Sequence, residues 1–365
     1  MPFDVGDFPG ASFSDRAASR PNRRVVAGWL FIVAAMILVM IGLGGATRLT
    51  GSGLSIMEWA PLRGTLPPLG EAEWNRLFRL YQQIPQYTLL NPDMGLDGFK
   101  QIFWLEWIHR AWGRLIGVVF LVPLIWFWVT GRIARRMLPK LLLLFVLGGL
   151  QGVIGWLMVA SGFFPDATAV SPYRLVVHLS LALILYGAVL WTGLSILRPV
   201  AATNTSPAYL RLCAMVCLGL LSLTILAGGF VAGIHAGLDY NTFPLMGGHL
   251  VPEGYVGRLP VLRNLTENVA AVQFNHRLLA TLTAAAVLAT VGIGLSCRGS
   301  RDIRIALLAL LVTTALQYAI GVVTLLWIVP VSLGTAHQVA ATLLLTALLY
   351  VLHGLRRPRL ASNRG

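Results

Sequence analysis

The feature that most limits this chain is a succession of long apolar stretches, several reaching the roughly 20 residues a helix needs to cross a hydrocarbon layer. Eight can be delimited: Val25–Gly44, Leu105–Val129, Leu141–Ala160, Tyr173–Leu197, Leu212–Ala232, Asn268–Ser296, Ile305–Val329 and Ser332–Leu352. With 56% of residues hydrophobic and only 12% charged, the expected fold class is an all-α polytopic membrane protein with eight transmembrane helices. A net charge of +14 would suit a nucleic-acid partner if the basic residues formed one patch. They do not. They fall in short segments between alternate apolar runs, as in Arg20, Arg23 and Arg24, GRIARRMLPK from Gly131, and CRGSRDIR from Cys297. That is the positive-inside pattern, so the partner is the lipid bilayer, no nucleic acid is expected, and both termini lie on the inner, cytoplasmic side. Cys213, Cys217 and Cys297 sit in or beside apolar runs with no metal-site spacing and read as packing residues.

These boundaries divide the chain. Residues 1–24 form a polar tail expected to be disordered on the inner face, too polar for a cleaved signal peptide. Residues 25–197 carry four spans and a long outer loop, 46–102, within which Glu71 to Gln83 is expected as a surface helix. An inner linker, 198–211, leads to a second set of four spans, 212–355, with an outer loop at 233–266. A basic tail, 356–365, follows.

The two sets echo one another. Gly44-Gly45 matches Gly228-Gly229, GSGLS from Gly51 matches HAGLD from His235, and LQGVIG from Leu150 matches LQYAIG from Leu316. Equivalent positions are four spans apart, so both sets enter the membrane from the same side and are expected to be two parallel-repeated four-helix bundles. FWLEWIHRAWGRL from Phe103 recurs in altered form as VQFNHRLLA from Val272, with Glu106 and His109 answered by Gln273 and His276.

Four histidines, His109, His178, His276 and His337, stand one or two turns inside the outer ends of the even-numbered spans, at a common depth. Histidines on facing helices are how bundles hold a metal or a haem, and imidazole suits iron. Arg110, Arg114 and Arg277 beside them are placed to receive carboxylates of such a macrocycle. His235, His249 and His353 read as solvated surface residues. Glu106, three residues before His109 at the membrane edge, is the first candidate acid, since an ionisable group there is a functional-site hypothesis by default; Glu58 in the first outer loop is the second. Gln273 cannot ionise, so one half would do chemistry that the other only supports.

The loop GGATRLTGSGLSIMEWAPLRGTLPPL, the motif LEWIHRAWGRLIG, the paired histidines and the eight-span count together resemble the haem A synthase family of bacterial inner membranes and mitochondria, from about Arg24 to Arg357. The first outer loop holds no cysteine pair, so the match is to the cysteine-free type, and a thiol mechanism in that loop is excluded. The resemblance implies oxidation of the C8 methyl of haem O, through hydroxylated intermediates, to the formyl group of haem A for terminal oxidase assembly. It implies that His109 and His178 hold the substrate haem O, and that His276 and His337 hold a haem b cofactor with Arg277 beside it. Arg174, one turn before His178 and answered by Leu333 in the second half, is expected to orient substrate propionates with Arg110 and Arg114. A haem O synthase upstream, oxidase assembly factors downstream and an electron acceptor of unspecified nature are the implied partners, in a bacterial inner membrane. A di-haem electron-transfer protein is the rival reading and would need the same histidines without Glu106.

Overall fold

The computed structural model describes residues 20–60, 63–198, 207–257, 260–297 and 299–356. Among the described residues eight helices are long and apolar enough to span a bilayer: α1 Arg20–Leu49, α3 Leu96–Val129, α4 Leu138–Ala160, α5 Pro172–Leu197, α6 Ala208–Gly233, α8 Val269–Ser296, α9 Arg301–Leu326 and α10 Val331–Gly354. The shorter α2, Glu71–Tyr81, and α7, Val261–Glu267, lie in the connections. The chain is thus a nearly all-helical, multi-pass membrane protein. One end of the bundle carries Arg23, Arg24, Arg132, Arg198 and Arg301 and is called the basic end; the opposite, loop end carries the long connections.

Helix limits differ from the apolar runs for physical reasons. The expected tail meets the described residues only at Arg20–Arg24, which are helical: Pro21 in the first turn lacks the N–H that would have no partner there. Residues 1–19, most of the linker and residues 357–365 lie outside the described residues. At its other end α1 runs through Gly44-Gly45 to Leu49, because this pair is a contact point rather than a stop. A Cβ on Gly45 would come within 2.7 Å of Gln338 Oε1 on α10. The helix ends before Gly51, whose φ of 67° lies in the left-handed region. α3 begins at Leu96, nine residues before its apolar run, and projects beyond the membrane. Its Phe99 and Phe103 are buried there with Leu54, Leu77, Tyr81 and Ile84, so the first loop has an apolar core of its own.

α1, α3, α4 and α5 form one ring of contacts, each helix against the next, and α6, α8, α9 and α10 form another. The rings meet where α1 packs on α10 and α5 on α6 and α10. In lipid, helices associate through close packing rather than exclusion of water, and the seam shows it: a Cβ on Gly229 would meet Val176 at 2.9 Å and one on Gly233 would meet Pro172 at 2.8 Å. Polar bonds cross the same seam. Gln338 Nε2 donates to Ile41 O at 3.0 Å, the hydroxyls of Tyr186 and Thr346 share a 2.6 Å bond, and Arg48 Nη2 donates to Ala232 O at 2.6 Å. The last places a cation on the C-terminal carbonyls of α6, where the helix dipole favours it. One apolar core, from Val26 to Leu355, draws on all eight spanning helices.

Candidate functional site

Each of the four histidines that the sequence singled out rests on a glycine of a neighbouring helix. A Cβ on Gly155 of α4 would stand 2.8 Å from the His178 ring, on Gly228 of α6 2.9 Å from His276, and on Gly321 of α9 2.7 Å from His337. Gly44 of α1 lies against His109 more loosely, at 3.7 Å. No larger residue would leave the three tight rings where they are. In α8 and α10 the rings of His276 and His337 are perpendicular, with centroids 6.4 Å apart. Two imidazoles ligating one metal ion at bonds of roughly 2 Å require a separation of this order.

The polar surroundings fit that use. His276 Nδ1 lies 3.1 Å from Thr224 O; a carbonyl can only accept, so Nδ1 carries the proton and Nε2 is left as a ligand. Gln151 Nε2 reaches His178 O at 2.7 Å and its Nδ1 at 3.1 Å, and the equivalent Gln317 Nε2 lies 3.5 Å from His337 Nε2. Among the described residues, His337 Nδ1, Gln151 Oε1 and Gln317 Oε1 are buried without a partner. Such groups mark a place built for something more than side-chain packing. Among the described residues no three or more His, Cys, Asp or Glu side chains converge on one point. The donors come as histidines two at a time, which suits a macrocycle that brings four ligands of its own better than a bare ion.

Glu106 is 2% exposed and its two oxygens are fully engaged. Oε1 accepts from Arg110 Nε at 3.0 Å and Nη2 at 2.6 Å; Oε2 accepts from Ser55 Oγ at 2.7 Å and from the Ile56 N–H at 2.9 Å. Glu58, the other candidate acid, is half-exposed and pairs with Arg76 of α2, which also holds Glu73. Hydrogen bonding from Arg76 keeps the Glu58 carboxyl below its ordinary range, against partial burial and, last, the like charge of Glu73. The structure does not bring Glu58 to the Glu106 carboxylate: only its main-chain oxygen takes part there, accepting from Arg110 Nη1 at 3.0 Å.

The arginines are directed at loop carbonyls. Arg110 Nη2 donates to Ile56 O at 2.8 Å and Arg114 Nη2 to Ala60 O at 3.1 Å, while Arg277 donates to Tyr240 O and Thr242 O at 2.5 and 2.7 Å. Arg174 donates to Leu157 O at 2.6 Å and is otherwise exposed. Arg110 also lies over the ring of Trp156, which stacks on Trp59 at 6.1 Å.

One expectation needs correction. His353 is not a solvated residue: it is 3% exposed, packed edge-on to Trp191 and in contact with Arg356, because the last turn of α10 turns this face inward. His235 is exposed, as expected, and its Nδ1 lies 3.4 Å from Arg48 Nη2. Sequence reading also passed over Gln151 and Gln317. The repeated LQxxIG motif, already visible, contains both glutamines together with Gly155 and Gly321, and was the signal that would have found them.

Comparison with known proteins identifies the family. A family model described as cytochrome oxidase assembly protein, COX15-CtaA, matches residues 27–349. The chain is 62% identical to the heme A synthase of Granulibacter bethesdensis over 92% of its own length and 88% of that protein. It is 48% identical to the heme A synthase of Rhodospirillum centenum over 95% of its length and 92% of the relative's, and 48% identical to heme A synthase 2 of Acidiphilium cryptum over 93% and 94%. With nearly every spanning helix inside the matched region and high identity over almost the full length, the chain belongs to the COX15-CtaA family of haem A synthases.

Proposed function

We propose that this protein takes part in haem A biosynthesis as an oxidoreductase, converting the C8 methyl of haem O to the formyl group of haem A. The observation that carries the reading is the set of four histidines, each backed by a glycine of a neighbouring helix, in a chain whose relatives are named heme A synthases. In this reading the halves 25–197 and 212–355 are parallel repeats with different duties. His109 and His178 hold the substrate through its iron, and His276 and His337 hold a haem b. A haem b held there would supply one-electron redox chemistry.

The chain's own residues do the rest. Thr224 O orients His276, and Gln151 and Gln317 support the two histidines beside them. Arg174, exposed and donating to Leu157 O, serves the carboxylates of the substrate. The loop end, where these groups lie, faces away from the cytoplasm, and the basic end faces it, in a bacterial inner membrane. A haem O synthase and oxidase assembly factors are the partners at either end of the reaction.

Haem extraction and chromatography from membranes making this protein with a haem O synthase tests the reading. Haem A, or its hydroxylated precursor, is the expected product, absent from His109→Ala and His178→Ala membranes. Recovery of haem b alone, with haem O unchanged by the wild type, would replace it with membrane electron transfer.

A further inference from the structure

Glu106 and Gln273 hold equivalent places on α3 and α8, and the loop groups that face them are opposite in polarity. In the first half, Ser55 Oγ and the Ile56 N–H both donate to the helix. They need an acceptor, and a carboxylate offers two. In the second half, Ala236 O and Asp239 O lie 2.7 and 2.6 Å from Gln273 Nε2. They need a donor, and of the two side chains only the amide has one. The far side is closed alike in both: Arg110 binds Glu106 and the carbonyls of Ile56 and Glu58, and Arg277 binds Gln273 at 2.8 Å and the carbonyls of Tyr240 and Thr242. Which of carboxylate and amide stands at each place thus matches the donors or acceptors that the loop turns towards the helix.

The first half carries this further. Glu106, Arg110 and Arg114 are spaced i, i+4, i+8 on one face of α3, and they hold Ser55, Ile56, Glu58 and Ala60 in order. About 12 Å of helix is lined by the loop, and His109 lies within that length. In α8 the third place is Thr281, which bonds Tyr318 of α9 instead of the loop.

We propose that Glu106 is a positioning residue: its carboxylate joins the Ser55–Ala60 segment to Arg110 and so sets the wall of the His109 site, without exchanging protons with the substrate. This rests on the reading of His109 and His178 as the haem O site.

The test uses the full chain in lipid discs, as wild type, Glu106→Gln and Ser55→Ala. Hydrogen exchange of residues 46–60 is measured without haem, followed by haem O titration and turnover across pH. In Glu106→Gln the amide face of the new side chain opposes either Arg110 or the loop donors. Exchange at Ile56 should rise about tenfold or more, the least expected for losing a hydrogen bond to a charged group. kcat/KM should fall mainly through KM, the pH profile of kcat should keep its shape, and the haem spectrum of the His276 site should not change. Ser55→Ala, which leaves the carboxylate and its ion pair in place, should move exchange and KM the same way by a smaller factor. Wild-type exchange in Glu106→Gln, with turnover lost and the acid limb of kcat flattened, would overturn the proposal in favour of a proton-exchanging carboxylate. Loosened exchange in a chain that never converts haem O would support the anchor and remove the haem O reading alone.

Discussion

The loop-end junctions of the two halves are built to one plan and differ in charge. Gly51 and His235, the first residues of GSGLS and HAGLD, both adopt left-handed backbone, at φ 67° and 58°, and each introduces a single 3-10 turn, Ser52–Leu54 and Ala236–Leu238. An arginine then clamps the two carbonyls that follow. The residue one turn before the arginine changes, from carboxylate to amide, and the loop groups that face it change from donors to acceptors. A substitution that looks catalytic in a sequence alignment of the halves is therefore also the substitution that hydrogen-bond accounting requires, and the two explanations separate only when the loop is measured independently of the reaction.

The sharpest test of the division between halves is the loss of a ligand from each. His276→Ala should abolish b-type absorbance in purified protein, whereas His109→Ala should retain it and lose haem O conversion; the same loss of spectrum from both would make the sites equivalent. Next in size are the clamps. Arg110→Ala leaves Glu106 buried and uncompensated, at about 3–5 kcal/mol, while Arg277→Ala leaves a neutral amide short of one partner, at about 1–3 kcal/mol. Thermal unfolding of both variants in one detergent should show Arg110→Ala as the more damaged.

The glycines give a graded comparison. Gly155→Ala, Gly228→Ala and Gly321→Ala place a methyl inside 3.0 Å of a histidine ring, whereas Gly44→Ala meets His109 at an ordinary 3.7 Å. The first three should lower haem content severalfold and Gly44→Ala should leave it near wild type. Gln273→Glu then tests the polarity argument in reverse. A carboxylate facing Ala236 O and Asp239 O lacks their donor, and the melting temperature should drop by the equivalent of ~1–3 kcal/mol.

The smallest effect belongs to His235. Burial, helped by the charge of Arg48, lowers its pKa below 6.5. A base whose folded pKa is depressed binds fewer protons than the unfolded chain, so stability should decline as pH falls below 6.5 and hold steady above it. His235→Asn should remove that dependence.

Much of this was legible from residues alone. Eight apolar runs gave eight helices, since length and apolarity leave few alternatives in lipid, and the histidines stood out because polar residues inside such runs are rare. Helix ends were less legible. Gly44-Gly45 reads as a terminus and proved to be a contact with α10, a distinction set by a partner some 290 positions away in the chain. The anchoring of Glu106 was hidden for a related reason. Its loop partners are the Ser55 hydroxyl and the Ile56 N–H, and the loop carbonyls are reached only through Arg110, a pairing that no motif displays. Arg110 and Arg277 next to histidines suggested carboxylate recognition, and only coordinates show that loop carbonyls already occupy those donors.

The seam between α1 and α10 and between α5 and α6 has a consequence for rate. Repeat-built carriers work by rocking one repeat against the other; here glycines pressed onto Val176 and Pro172, the Tyr186–Thr346 bond and the Arg48 cap remove that freedom. A seam packed in this way favours one spacing between the His109/His178 and His276/His337 positions, so that groups held there, as proposed above, would meet the same gap in every turnover.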